Sequence, residues 1–136
     1  MLIKVNNDSL LLEEMIRNKC GKKNTFIDRF LYRNFGTSRY RLINILPEHK
    51  EIDLSSYNDC IFLNFDLRKK GIVFYFRYKN TEYVEACPFY SLTFQSNDKS
   101  LVMQTDKYTY SFEILNEKNH KKFILKIYDF KSKLDR

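Results

Sequence analysis

From Cys60 to Leu115, apolar and polar residues alternate with a period of two through six short segments separated by turn residues. That is the pattern of strands burying one face. Ile61, Leu63, Phe65 and Leu67 share one side of the first segment, with Cys60, Phe62, Asn64 and Asp66 on the other. Arg68 to Gly71 supply a turn, for which the glycine offers positive φ. Ile72, Phe74, Phe76 and Tyr78 form the inner face of a second strand, and Asn80 and Thr81 reverse the chain again. Glu82 to Cys87 reads as a third strand, ended by Pro88, which lacks the amide a ladder needs. Tyr90, Leu92 and Phe94 make a fourth inner face, Leu101 to Thr105 a fifth strand, and Tyr108, Tyr110, Phe112 and Ile114 the apolar face of a sixth. Loops this short join only antiparallel neighbours.

After Asn119 the period changes. Phe123, Ile127, Phe130 and Leu134 recur at helical spacing, with Lys122, Lys126, Asp129 and Lys133 toward the other side. This predicts an amphipathic C-terminal helix; the rival is a seventh strand, Phe123 to Tyr128. Before the meander, Leu2 to Val5 reads as a short strand. Asp8 or Ser9 caps a helix through Lys19 with Leu12, Met15 and Ile16 on its face and Glu13 and Glu14 near its positive end. Cys20 and Gly21 stop it. A second helix is predicted from Thr25 to Phe35, ended at Gly36, and a strand from Arg39 to Leu46 closed by Pro47.

The fold class is therefore α+β: a helical lead (1–37), an antiparallel meander sheet or partly closed barrel of six to seven strands (38–116), and a C-terminal amphipathic helix (117–136). With 136 residues, 43% of them hydrophobic, one domain with one core is expected. The best candidate linker is Pro47 to Asn58. Cys20, Cys60 and Cys87 are an odd set without paired spacing, which predicts neither disulfide framework nor zinc site. Cys60 and Cys87 lie in strand patterns and are expected to be small buried hydrophobes. No long apolar run exists, and Met1 to Ser9 turns polar within a few positions, so neither membrane insertion nor a secretion signal is expected. A cytoplasmic location follows by default.

Charge modifies this picture at the ends. Residues 1 to 50 hold ten Lys or Arg against five Asp or Glu, residues 51 to 106 six against eight, and residues 107 to 136 eight against four. Lys22, Lys23, Arg29, Arg33, Arg39 and Arg41, with Lys19, are candidates for a patch that attracts polyanions by counterion release. The alternative is a solvated basic surface that maintains solubility. The 12 Phe and 10 Tyr accompany abundant Lys, Asn and Ile with only 3 Gly and 2 Pro, a skew that reports genome composition rather than function.

Catalytic patterns are missing from the sequence. His49 and His120, the two histidines, lack Cys, His or carboxylate neighbours at ligand spacing, and three glycines cannot build a phosphate loop. Ser55 and Ser56 lack the tight turn of a nucleophile elbow. His120 reads as an exposed residue near a helix start and His49 as a loop residue. Glu82 and Glu85 fall on opposite strand faces. No enzyme, cofactor or metal is expected.

Hairpin-linked antiparallel strands closed by one amphipathic C-terminal helix resemble the pleckstrin-homology-like superfold over roughly Arg41 to Leu134. The resemblance implies a bent sheet plugged at one end by the helix, with Phe130 or Phe123 packing where other members use Trp. It also implies a basic hairpin loop for ligands, for which Arg68, Lys69, Lys70 and Arg77 stand as candidates. The composition is similar to that of short uncharacterised proteins of flavobacteria, which implies a bacterial protein.

Three functions are expected in decreasing order. The first is a non-enzymatic interaction or adaptor module that holds an unidentified protein partner at a sheet edge or in the groove beside the C-terminal helix. The second is a nucleic-acid-binding protein, with Lys22 to Arg41 on phosphates and Tyr75, Tyr83 or Tyr108 stacking on unpaired bases. The third is a small enzyme or ligand-binding domain with a pocket under the C-terminal helix. The pattern does not set an oligomeric state.

Overall fold

The computed structural model describes residues 1–5, 9–22 and 40–134. The expected second helix, Thr25 to Phe35, lies outside them, so the helical lead is represented by α1 (Ser9–Cys20) alone. Two antiparallel sheets make up the strands. We number these β1 (Leu2–Lys4), β2 (Tyr40–Leu46), β3 (Ile61–Leu63), β4 (Phe65–Leu67), β5 (Gly71–Tyr78), β6 (Thr81–Pro88), β7 (Thr93–Ser96), β8 (Ser100–Gln104) and β9 (Thr109–Ile114). Sheet one has the order β1-β6-β5-β4 and sheet two β3-β2-β9-β8-β7. The strands do not close into a barrel.

The expected single strand from Cys60 is broken at Asn64 into β3 and β4, which belong to different sheets. The alternation survives the break: Ile61, Leu63, Phe65 and Leu67 are all buried, while Phe62 and Asn64 are exposed. Phe65 sits where the layers meet. Its ring packs against Tyr40 (4.9 Å), Phe74 (5.2 Å), Phe112 (5.1 Å) and Phe123 (5.3 Å). Burying such a ring contributes about 1.5–3 kcal/mol.

Sheet one is covered on both faces. Along the β5–β6 hairpin, Ile72, Phe74 and Phe76 stand opposite Cys87, Glu85 and Tyr83, on the side of the main core. The other face presents Val73, Val84 and Ala86 to Leu12, Ile16 and Cys20 of α1. Glu13 and Glu14 lie beyond the first turn of α1, which holds no acidic residue, and Met15 is more exposed than its expected place on the buried face. Gly21 ends the helix at φ +87°, its amide donating to the Arg17 carbonyl (2.9 Å). Gly71, by contrast, does not have positive φ. A Cβ there would come within 2.5 Å of the Cys87 carbonyl and 2.7 Å of the Cys20 sulfur, so close packing rather than turn geometry requires the glycine.

The C-terminal segment is helical, as α2 (Glu117–Leu134), and not a seventh strand. His120, Phe123, Ile127 and Phe130 are its buried stripe. Both Phe123 and Phe130 pack inward, the first stacked on Phe65 and the second edge-on to Phe89 (6.5 Å). Two further expectations are corrected. Tyr90 is 89% exposed because a 3-10 turn, Phe89–Ser91, precedes β7 and buries Phe89 in its place. Cys60 is exposed and precedes β3, whereas Cys20 and Cys87 are buried; all three thiols are free. Burial pushes Cys20 up to about 11 and Cys87 up to about 12. In the expected linker, Ile52 is buried in the main core and a 3-10 turn spans Leu54–Ser56.

Candidate functional site

Among the described residues, β7 is one of the two edge strands of sheet two, the other being β3. The Asn97 amide donates to the Ser100 carbonyl (3.0 Å), which sets the phase of the β7–β8 ladder. Gln95 with Val102 and Thr93 with Gln104 are then the hydrogen-bonded pairs, and Phe94 and Ser96 turn their amide and carbonyl groups away from β8. Beside this edge α2 runs antiparallel to β7, touching it twice and the residue before it once. His120 Nε2 lies 2.5 Å from Ser96 Oγ, the Tyr128 ring 5.4 Å from that of Phe94, and Lys131 Nζ donates to the Leu92 carbonyl (2.9 Å). Tyr128 is 59% exposed and Leu125, one turn earlier, 69%. An unpaired edge thus lies beside an exposed apolar strip.

His120 corrects its sequence reading. It is only 4% exposed, because α2 points it onto β2 and β7 of sheet two rather than to solvent. Its Nδ1 is 2.6 Å from the Tyr40 hydroxyl, which has no second partner among the described residues. A buried hydroxyl hydrogen left unpaired is costly, so Tyr40 donates to Nδ1. Nε2 therefore carries the imidazole proton and donates to Ser96 Oγ, whose own hydrogen can pass to the carbonyl of Asn97 (3.0 Å) or Ser100 (3.4 Å). The Ser-His-Tyr line looks like a nucleophile and base, but its donors run from Tyr40 outward, so Nε2 has no lone pair to accept the Ser96 proton. Burial lowers the imidazole pKa, which keeps it neutral, and lifts the Tyr40 phenol above its ordinary value. The arrangement ties α2 to β2 and β7.

Glu85 is a second buried polar group. It stands on the core face of β6, accepts from the Tyr110 hydroxyl (3.0 Å), and pairs with the Met1 α-ammonium (2.9 Å). That ammonium also meets Asp106 (2.8 Å). Burial raises the Glu85 carboxyl pKa, and the ammonium partly offsets this.

A cleft of about 440 Å³ opens between β1, the 47–51 loop, β6 and the β8–β9 turn. Within it His49 packs against Tyr83 (5.7 Å) and Tyr108 (5.8 Å), and its Nδ1 accepts from the Glu51 amide (3.0 Å). Burial, with Lys107 and Lys4 nearby, lowers its pKa despite Glu51. Another cleft of about 340 Å³ shares His49 and Glu48 and extends to Asp53 and Ser55. Neither is lined by Glu85, His120 or a cysteine, the groups expected for a pocket under the C-terminal helix.

Of the expected polyanion set, Lys22 and Arg41 fall among the described residues. Lys23, Arg29, Arg33 and Arg39 lie outside the described residues. Lys22 is exposed after α1, against sheet one, whereas Arg41 is on β2 of sheet two and faces Glu113 (3.8 Å). Of the hairpin set, Lys69 and Lys70 are exposed at the β4–β5 turn. Arg68 is 2% exposed, donating to Asp66 (3.1 Å) and the Gly21 carbonyl (3.3 Å), which fastens the end of α1 to the hairpin instead of offering a charge to a ligand. Arg77 is at the far end of β5, paired with Glu82 (3.3 Å). The candidate stacking rings are withdrawn as well: Tyr83 and Tyr108 are buried and Tyr75 is half-buried beside the α1 cluster. Sequence reasoning expected a site at a sheet edge or beside the C-terminal helix without naming the strand, and it missed the His120 line and the His49 cleft. Neither has a local signal, because each joins residues far apart in the chain.

No protein-family profile, curated protein or solved structure matches this chain. Among the described residues no helix is long and apolar enough to cross a membrane, and no cluster of His, Cys, Asp and Glu is arranged to hold a metal ion.

Proposed function

We propose that the protein is a non-enzymatic interaction module of pleckstrin-homology-like type that holds an extended segment of a partner protein along β7, beside α2. The observation that carries the reading is the outward amide and carbonyl groups of Phe94 and Ser96, adjacent to exposed Leu125 and Tyr128. An added strand gains main-chain hydrogen bonds from such an edge, and alternate side chains gain apolar contact with the helix. Edge strands are usually shielded from pairing by charge or proline. Here Thr93, Phe94, Gln95 and Ser96 contain neither.

The test is selection of binders from a displayed random-peptide library, followed by amide NMR on the labelled full chain. Peptides of this class shift and protect the Phe94 and Ser96 amides, and Leu125→Ala with Tyr128→Ala weakens them about tenfold or more while leaving thermal stability unchanged. Binders that leave those amides unmoved would remove the reading. The nucleic-acid alternative retains the net charge of +7 but loses its proposed Tyr83 and Tyr108 stacking platform to burial. It predicts affinity for single-stranded RNA that falls steeply with salt.

A further inference from the structure

The His49 cleft joins residues far apart in the chain: Lys4 from β1, His49 and Lys50 from the loop after β2, and Lys107 from the β8–β9 turn. Its acids and bases are not evenly satisfied. Glu51 is held by Lys4 (2.5 Å) and by the Tyr83 hydroxyl (3.2 Å), so that carboxylate is neutralised within the wall. Lys50 and Lys107 have no ion pair among the described residues, although Lys107 Nζ lies 5.4 Å from the centre of the Tyr108 ring. Glu48 is the one other carboxylate of the lining.

His49 adds a directed donor. With Nδ1 occupied by the Glu51 amide, the neutral ring carries its proton on Nε2, which has no hydrogen-bond partner among the described residues. Two lysines and an imidazole N–H around a cleft whose accessible apolar lining is Leu2, Ile3 and Pro47 are suited to a tetrahedral oxyanion with an organic substituent. A volume of about 440 Å³ is far more than a bare phosphate needs.

We infer that this cleft binds a small phosphorylated organic molecule, its phosphoryl group held by Lys50, Lys107 and the His49 Nε2–H and its organic part against the accessible apolar lining of Leu2, Ile3 and Pro47. This site is separate from the β7 edge and does not depend on the interaction reading. The phosphoryl group raises the pKa of His49, because a neighbouring anion favours the imidazolium.

The experiment titrates the isotope-labelled full chain with phenyl phosphate and, separately, with inorganic phosphate, following the His49 ring, the backbone amides and the lysine side chains by NMR. Saturable shifts at His49, Lys50 and Lys107, an upward shift of the His49 titration, and about tenfold tighter binding of phenyl phosphate support the inference. Lys50→Gln with Lys107→Gln weakens binding about tenfold or more at unchanged melting temperature. Absence of saturation by about 20 mM ligand overturns it, since a pocket that weak has no selective value. Equal shifts at the α2 lysines overturn it too, as general charge attraction. Equal affinity for the two probes overturns the assignment of the Leu2, Ile3 and Pro47 lining to an organic group.

Discussion

His49 and His120 are the same side chain in two solvent regimes. His120 is enclosed between β2, β7 and α2, and both ring nitrogens are used by the protein, toward Tyr40 and Ser96. His49 stands half-buried on a cleft wall with one nitrogen used and the other without a partner among the described residues. The fully partnered ring organises the fold, since any change orphans a buried group. The half-partnered ring has a donor to spare, and that is the property a ligand site needs. Perturbation of a histidine pKa does not distinguish them, because burial lowers both.

The largest test of this contrast is His120→Ala. It removes packing and leaves the buried Tyr40 hydroxyl unpaired, for an expected loss of about 2–4 kcal/mol in chemical denaturation. Tyr40→Phe keeps the ring and leaves Nδ1 unpaired, with an expected loss of about 1–3 kcal/mol. Because the two groups share one bond, combining Tyr40→Phe with His120→Ala should cost less than the sum. Full additivity would show that the Tyr40 bond does not stabilise the fold.

Acid sharpens the comparison next. Each imidazole is lowered from 6.5 in the folded chain, so below that value the unfolded chain binds more protons. Their stabilising contribution is complete above the unfolded pKa and is lost as pH falls through the window toward the folded one. Asp98 opposes the shift at His120 without reversing it. Glu85, raised by burial, acts in the opposite sense above its ordinary 4.5, so the informative quantity is the difference between wild type and variant. His120→Ala should flatten the stability profile below pH 6.5 by at most about one proton, and more than His49→Ala does. The reverse order would overturn the assignment of His120 as the more enclosed ring.

The smallest expected effect is His49→Ala itself, under about 1 kcal/mol, because water can replace its bond to the exposed Glu51 amide. A melting temperature that drops as far as for His120→Ala would make the cleft a structural element.

Much of the meander was legible. Ile61, Leu63, Phe65 and Leu67, then Ile72, Phe74, Phe76 and Tyr78, point inward as the period of two requires, and Phe123, Ile127 and Phe130 do so at the helical period. Tyr90 was misread because a 3-10 turn shifts the phase before β7, and a two-residue period cannot register a turn that buries Phe89 instead. Arg68 and His120 were misread for a different reason. Each is polar beside other polar residues, and its burial depends on partners many positions away, Gly21 in one case and Tyr40 in the other. The cleft was illegible on the same ground, since Lys4, His49 and Lys107 share no local pattern.

By itself, then, the sequence determined which faces of the strands and of α2 are apolar, and hence an α+β fold with antiparallel pairing. Side-chain period and turn length are local properties. Tertiary structure alone decided that the strand from Ile61 divides between two sheets at Asn64, that β7 is left as an edge, and which polar groups are enclosed. Those outcomes depend on hydrogen bonds and packing between distant segments, where a polar side chain is buried only because a particular partner meets it there.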